Sequence, residues 1–128
     1  MKGFIGNIES LTEENSNFRK VLFTSTHSQL VVMSLLVGEE IGMEVHPEND
    51  QFIRIEEGRA LAVLDGEEHT LEEDSALVIP AGVEHNIINI GDEELKLYTI
   101  YSPSHHPEGT IHATKADATD AEEAEHTV

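Results

Sequence analysis

The middle of this chain carries short hydrophobic runs in which apolar and polar residues often alternate, the period of a β-strand. Turn-forming residues separate these runs, and the strongest hairpin signal is the pair Asp65–Gly66. No segment of ten or more residues in this region shows a helical period. The predicted strands span residues 20–25, 29–37, 42–46, 51–57, 60–64, 67–71, 76–79, 84–90 and 95–101. Many short strands at this spacing predict an all-β fold, an antiparallel sandwich or barrel.

Two of the predicted strands are apolar on both faces, residues 30–37 (LVVMSLLV) and residues 60–64 (ALAVL). A strand that is covered on both sides belongs between stacked sheets or in an interface between subunits. We therefore expect the protein to form a homodimer that buries one sheet against a partner.

The two ends of the chain differ from its middle. The first fifteen or so residues predict an arm that holds one short strand around Phe4 and Ile5. From residue 115 the chain is acidic and rich in Ala and Thr, which predicts a frayed helix or a disordered tail. The sequence thus predicts a single domain over residues 1–114, with its core at about 30–101, and an acidic tail over residues 115–128.

Composition excludes several classes of protein. The 128 residues include no cysteine, which rules out a disulfide framework and a thiolate zinc site. No apolar stretch approaches the roughly 20 residues of a membrane span and the chain does not start with a signal peptide, so we expect a cytoplasmic protein. Seven Lys and Arg against 26 Asp and Glu give a net charge of −19. Such a surface repels nucleic-acid phosphates and anionic lipid, so we expect no nucleic-acid partner and no membrane partner.

Four polar side chains lie at metal-ligand spacing. Strand side chains alternate between faces, so Glu44 and His46 point the same way on one predicted strand. A short turn after Pro47 returns the chain at Gln51, which can lie opposite His46 on the same face. His85 follows a tight turn and can supply a fourth ligand from a second block of the chain. Side chains that converge in this way predict a metal site inside the barrel.

The first block resembles the first motif of the cupin family. That motif is Gly, five residues, His-x-His, three or four residues, Glu, six residues and Gly. In this chain Gly38 is followed after five residues by Glu44-x-His46. Gln51 stands four residues later, and Gly58 follows after six more. Two family positions are therefore altered, since the first His is Glu44 and the Glu is Gln51.

The second block matches the second cupin motif more closely. That motif is Gly, five residues, Pro-x-Gly, two residues, His, three residues and Asn. This chain has Asp74 in place of the first Gly, and then Pro80-x-Gly82, His85 and Asn89 at the family's spacing. The resemblance implies an antiparallel double-stranded β-helix, the jelly-roll barrel of small single-domain cupins that are often named phosphomannose-isomerase-like.

The resemblance also implies one divalent metal ion, with Glu44, His46, Gln51 and His85 as its ligands. Two imidazoles and one carboxylate form the ligand type of non-haem Fe(II) sites, with the amide of Gln51 as a weaker arm. Mn, Zn, Ni and Co stay open as alternatives to Fe.

Two other interpretations of the first block remain. A competing register would pair His46 with Glu48, but it loses the match at Gly38 and puts Glu48 in the turn. Alternatively the barrel holds no metal, and Glu44 and Gln51 form a hydrogen-bonded polar pair. Burying an ionised carboxylate without a cation is unfavourable, so such a site would be wet or its carboxyl would be protonated.

Cupins share one scaffold across many reactions, so the resemblance narrows the function only to a class. It implies a metal-dependent enzyme that acts on a small oxygen-rich molecule, a sugar-like, keto or diol substrate, as an isomerase or an oxygenase. The alternative is a non-catalytic cupin that binds a metal or a small ligand. The sequence identifies no catalytic residue, and whether the protein is an enzyme stays open.

Three histidines, His105, His106 and His112, follow the last predicted strand. One interpretation is a flap over the barrel mouth, which would give them a role in proton transfer or in a second metal site. We favour the other interpretation, a surface connection with solvent-facing side chains.

Overall fold

The computed structural model describes residues 2–126 and the side chains of residues 2–122. The elements, in chain order, are α1 (Ile8–Glu14), β1 (Arg19–Thr24), β2 (Gln29–Leu35), β3 (Asp50–Glu57), β4 (Ala60–Leu64), β5 (Glu67–Leu71), β6 (Ala76–Ile79), β7 (His85–Asn89), β8 (Leu95–Ser102), β9 (Ile111–His112) and α2 (Lys115–His126). Within these bounds neither helix is long and apolar enough to cross a membrane. The expected cytoplasmic location stays a prediction.

The strands form two sheets. One sheet has six strands in the order β6-β3-β8-β2-β1-β9, and the other has three in the order β5-β4-β7. Each pairing between neighbouring strands is antiparallel. The all-β, jelly-roll fold class predicted from the sequence is therefore confirmed.

The two sheets share one hydrophobic core. Val31, Met33 and Leu35 occupy alternate positions of β2 and are fully buried. Ile87 on β7 and Ala62 on β4 bring the three-stranded sheet into the same cluster. Burial of each large aliphatic side chain contributes about 1.5–3 kcal/mol, so this core fixes the strands that carry the polar site.

The strand predicted at residues 42–46 does not form. This segment instead makes two isolated bridges with β7, at Glu40 and Glu44. Gly42 has a φ of +108°, a backbone conformation that other residues avoid. Its N–H donates to the side-chain oxygen of Asn86 at 2.9 Å. The segment therefore runs beside β7 without becoming a strand, and it keeps Glu44 next to the sheet.

The chain begins with a helix and not with the predicted strand, since Phe4 and Ile5 belong to no strand in the described chain. Helix α1 is capped by Asn7, whose Oδ1 accepts a hydrogen bond from the Ser10 N–H at 3.1 Å. Thr12 is the residue that this helix buries. A short helix with so little apolar surface lacks the hydrophobic stripe that would have predicted it.

The acidic tail forms helix α2, and residues 127–128 lie outside the described chain. Ala118 is 3% exposed and joins the core cluster. Lys115 Nζ donates hydrogen bonds to the backbone oxygens of Glu40 and Ile41. These contacts attach α2 to the segment that leads to the predicted ligands. The predicted boundary between domain and tail stays a prediction.

Asn86 on β7 anchors the segment that carries Glu44, so we expect its loss to destabilise the fold. Its Oδ1 accepts from Gly42 N–H at 2.9 Å, and its Nδ2 donates to Glu40 Oε1 at 3.4 Å. Asn86→Ala leaves the Gly42 N–H without its acceptor and should lower the free energy of unfolding by about 1–3 kcal/mol in urea denaturation. Glu68→Ala on the exposed strand β5 is the control, with a change within about 0.5 kcal/mol. Equal stability of Asn86→Ala and the wild type would contradict this role.

Candidate metal centre

Glu44 and His85 face each other across two backbone hydrogen bonds. The Glu44 N–H donates to the His85 carbonyl oxygen at 2.8 Å, and the His85 N–H donates to the Glu44 carbonyl oxygen at 2.9 Å. Residues directly opposite in an antiparallel pair direct their side chains to the same face. The ring of His46 lies on that face too, with its centroid 5.1 Å from the centroid of His85.

Glu44 and His46 are in direct contact. Glu44 Oε2 lies 3.1 Å from His46 Nε2. Two ligand atoms that each bind one ion at about 2.1 Å and at a right angle stand about 3.0 Å apart. The pair therefore has the spacing of adjacent ligands, and a metal ion would take the place of the shared proton.

His85 is oriented by a backbone carbonyl. Its Nδ1 lies 2.9 Å from the carbonyl oxygen of Val83. That hydrogen bond makes Nδ1 the protonated nitrogen and leaves Nε2 as the free donor atom, the arrangement common in metal-binding histidines. The side chain is buried, at 4% exposure, so its orientation is fixed by packing as well.

Gln51 contributes a buried oxygen atom. Its Nε2 donates to Thr99 Oγ1 at 3.0 Å. Its Oε1 is buried and has no hydrogen-bond partner among the described residues. A buried acceptor without a donor is unfavourable, and a cation would satisfy it. The donor set therefore fits a metal ion.

The structure brings the four predicted ligands together to different degrees. Glu44 and His46 are in contact through their side chains. His85 contacts Glu44 through backbone hydrogen bonds, and its ring lies next to the ring of His46. Gln51 supplies a buried oxygen atom without a partner among the described residues. His85 is not part of the group of donor atoms within 4.8 Å of one another that includes Glu44 and His46. Glu48, the carboxylate of the competing register, is exposed in the turn before β3. This geometry favours the register that uses Glu44.

His105 is a donor that the sequence interpretation named only in its less favoured alternative, a flap over the barrel mouth. In the described chain one group of three ionisable side chains has its donor atoms all within 4.8 Å, and it consists of Glu44, His46 and His105. The ring centroids of His46 and His105 are 4.2 Å apart. His105 therefore contacts the barrel mouth, although it is exposed to solvent as in the surface connection that we favoured.

Gln29 holds the loop of residues 103–110 in place. Its Oε1 accepts hydrogen bonds from the backbone N–H groups of His105 and His106, at 3.2 and 3.0 Å. Its Nε2 donates to Thr24 Oγ1 and to the His106 carbonyl oxygen, both at 2.8 Å. Gln29 is 1% exposed. The sequence shows only a glutamine after a turn, and its burial cannot be read there, so no sequence signal could have placed these histidines.

The carboxylate of Glu44 is ionised. Burial by itself would raise its pKa, but the hydrogen bond from His46 and the nearby cationic groups, Arg19 among them, outweigh burial and lower the pKa below the ordinary value. An ionised carboxylate next to two imidazoles attracts a divalent cation. The carboxylate thus suits metal binding at neutral pH.

Tyr101 and His106 are both uncharged at neutral pH. Burial raises the pKa of Tyr101, so its phenol keeps its proton. Burial, together with the charge of Arg19, lowers the pKa of His106 to about 2, so its ring is neutral. The Tyr101 ring lies edge-on to His46, with centroids 5.7 Å apart, so these uncharged groups border the metal ligands.

An open pocket leads to the site. Its volume is about 490 Å³, and its lining residues are Met43, Glu44, Val45, His46, His105, His106 and Glu122. A pocket of this size admits a small molecule. Glu122 comes from helix α2, so the acidic tail contributes to the barrel mouth.

Known proteins resemble this chain in sequence and in structure. A profile of the cupin domain matches residues 31–101. The uncharacterized protein YrkC of Bacillus subtilis (strain 168) is 48% identical over 128 aligned residues, which cover 95% of this chain and 69% of YrkC. The uncharacterized protein L612 of Acanthamoeba polyphaga mimivirus is 48% identical over 112 residues, 84% of this chain and 70% of L612. The crystal structure of BH2720 from Bacillus halodurans superimposes with a TM-score of 0.91 at 46% identity, over 93% of this chain and 95% of that one.

Removing the Gln29 side chain should release the 103–110 loop. Gln29→Ala leaves the N–H groups of His105 and His106 without their acceptor, so we expect both amides to exchange with deuterium about tenfold faster or more. Gln29→Glu retains an acceptor oxygen at the same place and should retain most of the protection. Amide exchange followed by NMR measures the difference, and unchanged rates in Gln29→Ala would show that other contacts hold the loop.

Proposed function

The chain belongs to the cupin family, and on that premise we propose that it is a metal-dependent enzyme that acts on a small oxygen-rich molecule. One divalent ion binds to Glu44, His46 and His85, with Gln51 and His105 as further donors. Imidazole, carboxylate and amide donors are compatible with Fe, Mn, Zn, Ni and Co. The sugar-like, keto or diol substrate enters through the open pocket of about 490 Å³.

The observation that carries the proposal is the convergence of donor atoms on one point. The donor atoms of Glu44, His46 and His105 lie within 4.8 Å of one another, and those of Glu44 and His46 are 3.1 Å apart. The oriented ring of His85 is not part of that group of three, but its centroid lies 5.1 Å from that of His46. Gln51 offers an oxygen atom without a partner among the described residues. When bound, the ion supplies a Lewis acid that polarises a substrate oxygen.

Two residues beside the site do not supply the base that isomerisation needs, a side chain with a pKa near the operating pH. The pKa of His106 is far below that range and the pKa of Tyr101 is above it, in both cases chiefly because of burial. Neither group is matched to proton abstraction at neutral pH. Isomerase and oxygenase both stay within the proposal.

The same observation also favours a second candidate, a non-catalytic cupin that binds a metal or a small ligand. A site without a poised acid or base can bind a molecule without converting it. The oriented His85 and the ionised Glu44 would serve such a binder equally well.

We also propose that the protein is a homodimer. Ile5 is 100% exposed and Phe4 is 39% exposed, and both lie beside Leu30, Tyr98 and Ile100 on the outer face of the six-stranded sheet. Removing such apolar surface from water favours association. Sedimentation equilibrium should give twice the chain mass of 14.1 kDa, and Ile5→Glu should lower that mass toward the monomer. A wild-type protein that sediments as a monomer at high concentration contradicts the proposal.

Single substitutions test the metal ligands. Glu44→Ala and His85→Ala each remove a donor atom, so we expect the dissociation constant for Zn(II) to rise about tenfold or more. Glu48→Ala is the matched control, since this nearby exposed carboxylate should leave the constant unchanged. Competition with a chromophoric chelator measures the constants, and elemental analysis of protein purified without added metal identifies the native ion.

The outcomes separate the alternatives. Wild-type protein that binds none of the five divalent ions would contradict the metal site. A loss of Zn(II) affinity in Glu48→Ala alone would favour the competing register. Oxygen consumption by the Fe(II)-loaded protein over a panel of diols and keto acids then distinguishes an oxygenase from a binder. Metal-loaded protein that binds a panel member without converting it supports the non-catalytic candidate.

A further inference from the structure

Arg19 is a buried cation close to the metal centre. The residue is 1% exposed. It pairs with Met33, a core residue of β2, and residues opposite in an antiparallel pair share a face, so its side chain enters the barrel interior. Burying a guanidinium is unfavourable unless its charge and its N–H groups are matched.

Lys96 shows what a fully paired buried cation looks like in this fold. Its Nζ donates to Asn15 O at 2.6 Å and to Ser34 Oγ at 3.1 Å, and it pairs with Glu94 Oε2 at 3.0 Å. Three partners match the three N–H groups of an ammonium. Each N–H group of the Lys96 ammonium therefore has a partner within the fold.

Arg19 is paired much less completely. Its Nη1 reaches His112 Nδ1 at 3.4 Å and Glu122 Oε1 at 3.5 Å, both long for a hydrogen bond. Its Nε is buried and has no hydrogen-bond partner among the side chains and backbone that the structure describes. The ring of Phe18, 5.4 Å from Cζ, offsets only part of the charge. The Nε–H of the guanidinium is therefore a buried donor that lacks an acceptor.

Arg19 does not itself line the pocket of the metal centre but pairs with a residue that does. Its partner Glu122 lines that pocket together with Glu44 and His46. After burial and His46, the charge of Arg19 is the next influence on the pKa of Glu44, and after burial it is the largest on that of His106. Arg19 is thus within electrostatic reach of the donor set.

We propose that Arg19 binds the carboxylate of the substrate, and that the substrate is a small hydroxy or oxo acid. Its carboxylate sits on the Nε edge of Arg19, and its hydroxyl or carbonyl oxygen faces Glu44, His46 and His105. The inference rests on the proposed function, since it names the substrate class of that same site. Arg19 then acts as a binding residue that sets specificity.

A carboxylate suits this position better than a phosphate. One guanidinium matches one planar monoanion, with two parallel N–H bonds. A phosphate dianion would face the ionised Glu44 and Glu122 with a single cation to balance it. The net charge of −19 adds to that penalty.

Glu122 limits how strongly Arg19 attracts an anion. Its carboxylate lies 3.5 Å from Nη1, and its side chain is 49% exposed at the rim of the pocket. It both repels an incoming carboxylate and competes for the same cation. Removing its charge should therefore strengthen the binding of an acid, which a purely structural ion pair would not do.

The NMR signal of the Arg19 Nε–H tests the proposal. The chain has three arginines, so its Nε–H signals are few, and Arg19→Lys assigns the one that disappears. Zn(II)-loaded protein is titrated with lactate and with pyruvate. The matched neutral probe is 1,2-propanediol, which has the same carbons as lactate but no carboxylate, and inorganic phosphate is the second anion.

We expect both acids to shift the Arg19 Nε–H signal to saturation and to bind about tenfold more tightly than the diol. Arg19→Lys should weaken lactate binding about tenfold and leave the affinity for Zn(II) and for the diol unchanged. Glu122→Gln, a half-exposed position that should fold normally, should strengthen lactate binding several-fold.

Other results overturn the proposal. A static Arg19 Nε–H signal, or equal affinity for lactate and the diol, would make Arg19 a structural residue that only pairs with Glu122. Tighter binding of phosphate than of lactate would overturn the carboxylate class. The proposed function fails separately: if Zn(II) does not bind, lactate titration of metal-free protein still reports on Arg19 through the same signal.

Discussion

Two backbone hydrogen bonds between Glu44 and His85 fix the geometry on which the site depends. They join the two segments that carry the ligands, although Glu44 lies outside any strand and His85 begins β7. Gly42 makes this possible, because its positive φ lets the chain leave the ladder and return to it at Glu44. The hydrophobic core supports this arrangement because it includes Ile87 and so holds β7 in place.

The barrel is apolar at one end and polar at the other. Along β8 the inward residues change from Leu95 and Leu97 to Thr99 and Tyr101, all of them buried. Gln51 pairs with Tyr101 on the neighbouring strand and extends the polar end. Buried polar groups are unfavourable unless they are matched, so this end suits the metal ion and the anion that we propose. The apolar inward residues therefore form the core, and the polar inward residues at the other end of the same barrel form the site.

Sequence reasoning succeeded where local geometry decides the structure. The Asp65–Gly66 turn joins β4 to β5 with positive φ at both residues. Glu44 and His46 are in contact, although the strand predicted to carry them does not form, and the ligand set stays a prediction. Sequence reasoning missed Arg19 and disfavoured a role for His105 at the site, because both residues are positioned by long-range packing. An arginine in an alternating strand looks the same whether it faces the core or solvent. A histidine in a proline-rich loop has no period that could reveal its direction.

The binding of one divalent ion between the two motif segments is tested most directly by anomalous diffraction from a crystal of Zn(II)-loaded protein, with data collected at the zinc absorption edge. We expect one strong peak within bonding distance of the Glu44 carboxylate and of the imidazoles of His46 and His85. The position of the peak relative to Gln51 and His105 would then define the remaining ligands. A map with no peak between these side chains, or with its peak at Glu48, would contradict this structure of the site.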